Sequence, residues 1–279
     1  MKTSGKPTSS MRRQNNPMTP LLEVNNLTMD FGGLRAIDTL DVEIHQGEIV
    51  ALIGPNGAGK TTFFNCITGI YKPTQGDILV HPDQDTTIRL NGLKPNHVTR
   101  KGLARTFQNI RLFSSMTVLE NVMIGCHPVT KTGILGAFFR GPSTRDEEQF
   151  IVDKSYGILQ KIGLEKYVDE LAVNLPYGAQ RRLEIARALA TNPFLLLLDE
   201  PAAGMNPRET QELDELIIRL RDEEGISILL IEHDMKLVMS LSDRIVVVDY
   251  GKKIAQGTPE EIRNNPLVIK AYLGEDIDA

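Results

Sequence analysis

Cysteine is scarce in this chain of 279 residues: Cys66 and Cys126 are the only two, far apart and in no CxxC spacing. That excludes a disulfide framework or a thiolate metal site, fits a reducing compartment, and leaves both thiols as small core residues. Positive charge is not in excess either. Thirty-one Lys and Arg against 36 Asp and Glu leave a formal charge of −5, which excludes attachment to nucleic acid through bulk positive charge. Long apolar runs are absent. "FLLLL" (194–198), "ISILLI" (226–231) and "IVVV" (245–248) fall well short of the roughly 20 residues that span a bilayer, and have the length of buried strands. The first 19 residues lack the apolar core of a secretory signal and read as a disordered tail. No long-range repeat and no low-complexity tract occurs outside that tail.

What is present is an alternation. From Leu21 onward, short β-branched or apolar runs alternate with longer helical patterns, an order that predicts an α/β core with mostly parallel central strands. "LLEVNNLTMDFG" and "IDTLDVEIHQGEIVALIG" read as strands, the second ending at Gly54, and "KTTFFNCITG" as a helix closed by Gly69. Residues 71–100, rich in Gly, Pro, Asp and Thr, read as an antiparallel patch joined by turns. Between Gln108 and Leu175 the period becomes helical, which marks a candidate subdomain. Strand signals return at Phe194, Ile226 and Ile245, with the amphipathic helix "RETQELDELIIRLRDEEG" among them.

"LIGPNGAGKTT" matches the P-loop template at every fixed position. Gly54, Pro55, Asn56, Gly57, Ala58 and Gly59 form a loop that can fold around an anion. The amides opening the next helix point at that anion, and the helix dipole favours its charge. Lys60 would neutralise the β and γ phosphates, with Thr62 beside it, and Thr61 would offer a hydroxyl to Mg²⁺. A second acidic element belongs with such a loop, and "FLLLLDEP" supplies it. Asp199 stands where a buried strand emerges and can hold Mg²⁺, while Glu200 beside it can take a proton from an attacking water. His233 follows the strand "ISILLIE", a third polar group at the end of an apolar strand, which is the edge where open α/β sheets bind ligands. Gln108 in "ARTFQN" carries little alone.

These residues together resemble the ATP-binding subunit of an ABC transporter, over nearly the whole chain after Leu21. "NLPYGAQRRLEIARALA" (174–190) is similar to that family's signature, usually LSGGQ and followed by an arginine-rich helix. Leu175, Pro176, Tyr177, Gly178 and Ala179 take its five places, so the usual Ser and Gln contacts are lost while Gly178 and the first helical amides keep an anion site. The resemblance implies a P-loop NTPase (RecA-like) core with an antiparallel β subdomain and an inserted α-helical subdomain. It also implies two ATPase subunits paired head to tail, each closing its signature, Tyr177 and Gly178 included, over the other's nucleotide.

By the same resemblance Gln108 contacts Mg²⁺ and links the site to the helical subdomain, and His233 senses the γ-phosphate. Phe31 stacks on adenine with Ala36 close by, unless it is an ordinary core Phe, and Asn206 stands for a more usual Asp. The organisation expected is a tail at 1–19, the first part of the core at 20–108, the helical subdomain at 109–175, the second part of the core at 176–259, and a helical extension at 260–279. "GLARTFQNIRLFSSMTVLENVMIGCH", "LDEPAAGMNP" and the run from Ile228 to Glu275 closely resemble the ATP-binding subunits of bacterial branched-chain amino acid importers. That implies ATP and Mg²⁺, two permease subunits, an extracytoplasmic binding protein, no nucleic acid, and a peripheral place on the cytoplasmic face of the membrane. A lipid or lipopolysaccharide exporter ATPase and a weakly hydrolysing regulatory module stay open as alternatives. The apolar "GILGAFF" between Lys131 and Arg140 reads either as a permease-docking patch or as a loop folded over its own subdomain.

Overall fold

The structure is a computed structural model and describes residues 19–126 and 142–273; residues 1–18 of the tail and the "GILGAFF" segment lie outside the described residues. Two sheets organise what is described. The first is antiparallel, in the order β2 (Leu34–Ile44), β1 (Leu22–Phe31), β4 (Gln75–Val80) and β5 (Ile88–Arg89). Its strands alternate buried and exposed side chains, as a sheet packed on one face must.

The second sheet runs β10 (Lys252–Gly257), β9 (Arg244–Asp249), β3 (Ile49–Ile53), β8 (Ser227–Ile231), β7 (Leu195–Asp199) and β6 (Leu103–Arg105). From β9 to β6 the pairs are parallel, and β10 adds an antiparallel edge. Every residue of β3, β7 and β8 is buried, because helices or the first sheet cover both faces. Two apolar cores follow, one on each face of this sheet. Phe63, Phe64 and Ile67 of α1 (Lys60–Ile67) join the first sheet on one side, and the remaining long helices pack on the other.

The short helix α2 (Pro95–Arg100) ends the antiparallel patch, an element its Pro and Gly content hides. Helices α3 (Val118–Cys126) and α4 (Pro142–Lys161) make the helical insertion, packing on each other and on α5 (Tyr177–Leu189). The chain then alternates β7, α6 (Pro207–Asp222), β8, α7 (Met235–Leu241) and β9, and closes with α8 (Pro259–Arg263) and α9 (Pro266–Leu273). Start signals are explicit: the Asn206 and Thr258 side chains each form a capping box, with Glu209 and Glu261, and Asp234 caps α7. β6 is the strand that composition conceals. It has three residues with Arg105 at its end, yet it pairs with β7 and carries the chain straight toward Gln108.

Candidate functional site

The C-terminal ends of β3, β8, β7 and β6 open on the same edge of the parallel sheet, and each delivers one part of the site. β3 runs into the loop Gly54–Gly59. Gly54 has φ +156°, and a Cβ there would stand 2.0 Å from the Val248 carbonyl oxygen, so only glycine allows this approach. Gly59 caps α1 in the left-handed conformation, with no side-chain cap bond and no acidic residue in the first turn. Lys60 is 7% exposed, and its Nζ donates to the Gly54 and Pro55 carbonyls at 2.7 and 2.9 Å. Burial pushes its ammonium below the usual lysine value, against the pull of the Glu200 and Asp199 carboxylates. Asn56, Gly57 and Thr61 are exposed, Pro55 and Thr62 half-buried and Ala58 buried.

At the end of β7, Asp199 is buried and paired with Arg105, whose Nη2 lies 2.7 Å from Oδ2. Arg105 also donates from Nη1 to Asn65 at 2.7 Å, and its guanidinium lies over the Phe64 and Phe107 rings. Glu200 follows with φ +48°, a left-handed conformation that is strained for a residue with a Cβ and turns the chain sharply off the strand. Its carboxylate is shared. Gln108 Nε2 donates to Oε2 at 2.7 Å, and His233 Nε2 lies 2.8 Å from Oε1. Behind it, Glu232 is 4% exposed and accepts the Ala202 and His233 amides at 2.8 and 3.0 Å; burial raises its pKa despite those bonds. Three residues far apart in sequence therefore meet in one hydrogen-bonded set.

The signature stretch opens α5 and packs on the loop that follows Glu200. Pro176 is the N-cap of α5 and its carbonyl accepts the first helical bond, from Gln180 at 3.0 Å. Tyr177 is exposed, with its hydroxyl on the Ala203 carbonyl at 2.9 Å. Gly178 is buried, and its amide donates to Glu209 Oε1 at 3.3 Å; a Cβ would stand 2.7 Å from that oxygen. Glu209 Oε2 accepts the Asn206 amide at 3.0 Å, so one carboxylate ties the start of α6 to the start of α5. The amide expected to await an anion is thus held by a carboxylate of its own chain. Asn206 has a local role in place of the usual Asp: its Oδ1 accepts the Arg208 and Glu209 amides, both at 3.0 Å.

Phe31 ends β1 41% exposed, set edge-on against Tyr71 with ring centroids 5.2 Å apart, so the ordinary-core reading fails. The Ala36 carbonyl lies against Gly59. Sequence reasoning missed Arg105, Glu209 and Tyr71. Arg105 carried a signal, a cation at the end of a short apolar run; Glu209 carried the capping-box spacing from Asn206.

The donors fit a magnesium ion that takes most of its shell from phosphate and water: an exposed Thr61 hydroxyl and the single carboxylate of Asp199 at the strand end. Among the described residues no group of three or more His, Cys, Asp or Glu forms a protein cage for a metal. Gln108, expected at the metal, donates its amide nitrogen to Glu200, a bond that does not use its Oε1, the atom a magnesium ion would take.

Fold and site together define an ATP-binding cassette. The ABC transporter family model matches residues 37–203, and the chain belongs to that family. A second model, for branched-chain amino acid ATP-binding cassette transporters, matches residues 252–278. The chain is 55% identical to the high-affinity branched-chain amino acid transport ATP-binding protein LivG of Escherichia coli K12, over 92% of this chain and 98% of that one. It is 49% identical to BraF of Pseudomonas aeruginosa, which bears the same description, over the same shares. A solved nucleotide-free ATP-binding cassette from an ABC transporter superposes with a TM-score of 0.78 at 32% identity, covering 92% of this chain and all of the other. A dimeric post-hydrolysis cassette bound to ADP and Pi superposes with a TM-score of 0.68 at 26% identity, over 85% of this chain and 98% of that one.

Proposed function

We infer that this chain is the ATP-binding and hydrolysing subunit that powers a branched-chain amino acid importer. The observation that carries the chemistry is the shared Glu200 carboxylate, fixed by Gln108 and His233 at 2.7 and 2.8 Å beside a P-loop whose lysine is already buried. The names borne by LivG and BraF, at 55% and 49% identity over nearly their full length, support the cargo.

Bound Mg²⁺–ATP supplies the phosphoanhydride and the cation that balances charge developing on its oxygens. This chain's residues do the rest. The loop amides and Lys60 hold the phosphates, and Thr61 and Asp199 hold the metal. Phe31 and Ala36 flank the base, and Glu200 takes the proton of an attacking water. Gln108 and His233 keep that carboxylate aimed, which is the geometric condition for general-base catalysis. Asp199 is spared from searching for its geometry, because Arg105 fixes one oxygen.

A second ATPase subunit, two permeases and an extracytoplasmic binding protein complete the machine in this reading. The solved dimer with ADP and Pi supports the paired arrangement. Tyr177 and Gly178 then cover the nucleotide of the neighbour. Among the described residues no helix is long and apolar enough to cross a membrane, which fits a peripheral place at the cytoplasmic face, held by permeases. The organisation proposed is a core of 20–108 and 176–259, a helical subdomain of 109–175 and an extension from 260. The test is reconstitution with the permeases in vesicles. Leucine, isoleucine or valine delivered by the binding protein should raise ATP hydrolysis and enter the lumen; hydrolysis indifferent to these cargoes contradicts the assignment.

A further inference from the structure

Helix α5 opens with Gly178 and buries an ion pair one turn later. Arg181 and Glu184 lie three residues apart on it, 0% and 2% exposed, with Nη1 and Oε2 separated by 2.9 Å. Both grip the backbone around Gln108: Arg181 donates from Nη1 to the Phe107 carbonyl and from Nη2 to the Gln108 carbonyl, each at 2.7 Å. Glu184 Oε1 accepts the amides of Phe107 and Arg111 at 3.4 Å. The segment so held is irregular backbone, and Gln108 itself is exposed. Its side chain reaches Glu200 from a backbone whose position rests on α5.

A buried ion pair is a poor device for stability, since well-packed apolar residues of the same size generally serve as well or better. The planar fork of arginine, in contrast, holds the Phe107 and Gln108 carbonyls from two separate nitrogens in one rigid plane while keeping a donor on Glu184, a geometry that the single ammonium nitrogen of lysine does not present. We propose that Arg181 and Glu184 are positioning residues for hydrolysis, holding Gln108 so that its amide keeps the Glu200 carboxylate aimed. They act only through Gln108 and touch neither nucleotide nor metal. Because Gly178 and Arg181 share one rigid helix, a shift at the signature end of α5 is delivered to the backbone of Gln108.

This rests on the assignment of Glu200 and Gln108 to ATP hydrolysis, and the test separates the two. In full-length chain assembled with its partner subunit, Gln108→Ala alone checks the assignment: unchanged hydrolysis sinks both readings. The double variant Arg181→Met with Glu184→Leu checks the inference, the apolar pair being chosen to keep the fold. A displacement of about 1 Å at a catalytic group can cost up to ~100-fold in rate. The expected result is a kcat lowered about tenfold or more, an ATP KM changed less than about threefold, and no further loss when Gln108→Ala is added, since residues acting through one another are non-additive. An unchanged kcat, or losses that multiply with that of Gln108→Ala, overturns the inference. Should the double variant fail to fold, Arg181→Lys keeps the charge opposite Glu184 and removes the fork. It is expected to lower kcat with KM and melting temperature held, and a wild-type kcat in this variant is equally fatal.

Discussion

The N-termini of α1 and α5 are the same kind of chain end kept in opposite conditions. At α1 the N-cap is a glycine, the first turn has no acidic side chain, and the nearest cation is folded onto carbonyls of its own loop. At α5 the N-cap is a proline, and the Gly178 amide is taken by Glu209 of another helix. Orphan amides at a helix start attract anions either way. The difference is that the P-loop leaves them for a ligand, whereas the signature end is occupied by a carboxylate that also binds Asn206. One site is complete within the chain. The other is set by α6, and so by the loop that follows the Glu200 turn.

The comparison breaks first at Lys60. Two charge-assisted bonds are at stake, so Lys60→Met should weaken ATP binding to the single full chain by about 100-fold or more in calorimetric titration, whereas Tyr177→Ser should leave it within about twofold. Equal losses would mean that the two ends are not distinct. Glu209→Gln sharpens it further. The one amide oxygen of glutamine can keep only one of the two amides, Gly178 or Asn206, that take separate carboxylate oxygens of Glu209, and the charge is gone, so single-chain ATP binding should hold and ATP-dependent pairing should tighten by roughly threefold by sedimentation, a modest like-charge repulsion being relieved near the surface. Weaker pairing would show that the charge itself is required there.

The smallest effect lies off both ends and serves as a control. Asp214 on α6 is pushed up to about 6 by burial first, then by Asp234, Glu232 and Glu215, and its Oδ1 has no hydrogen-bond partner among the described residues. A carboxyl raised above its unfolded value of 3.8 keeps its contribution below that pH and loses it as pH rises through about 6. Asp214→Asn should therefore raise the melting temperature at pH 8, with the gain shrinking through pH 6 and gone near pH 4. A gain independent of pH would point to packing instead.

The loop from Gly54 to Thr61 and the strand end at Asp199–Glu200 were legible because their residue types recur at fixed spacing between a strand and a helix. Glu200 was legible from its motif and Gln108 and His233 only through the family resemblance, and their meeting was not legible, because it depends on β6, β7 and β8 lying side by side. β6 is too short to announce itself by periodicity, and its Arg105 reads as a surface cation until β7 brings Asp199 alongside. The arginines of α5 showed the same ambiguity: Arg181 is fully buried against the backbone of Phe107 and Gln108, while Arg182 beside it is half-buried and turned to Glu212 of α6. Asn206 appeared as a departure from the family pattern, and only the capping geometry gives it a purpose.

The central claim is that ATP held at Lys60 is covered by Tyr177 and Gly178 of a neighbouring ATPase subunit. It is met most directly by a photoreactive ATP carrying its label on the γ-phosphate, used with Glu200→Gln so that the nucleotide is retained. In the single chain the label should appear only in the peptide spanning 54–62, and in the assembled complex also in the peptide spanning 175–182 of an ATPase subunit. Label confined to the P-loop peptide in every assembly, with nucleotide still bound, contradicts it.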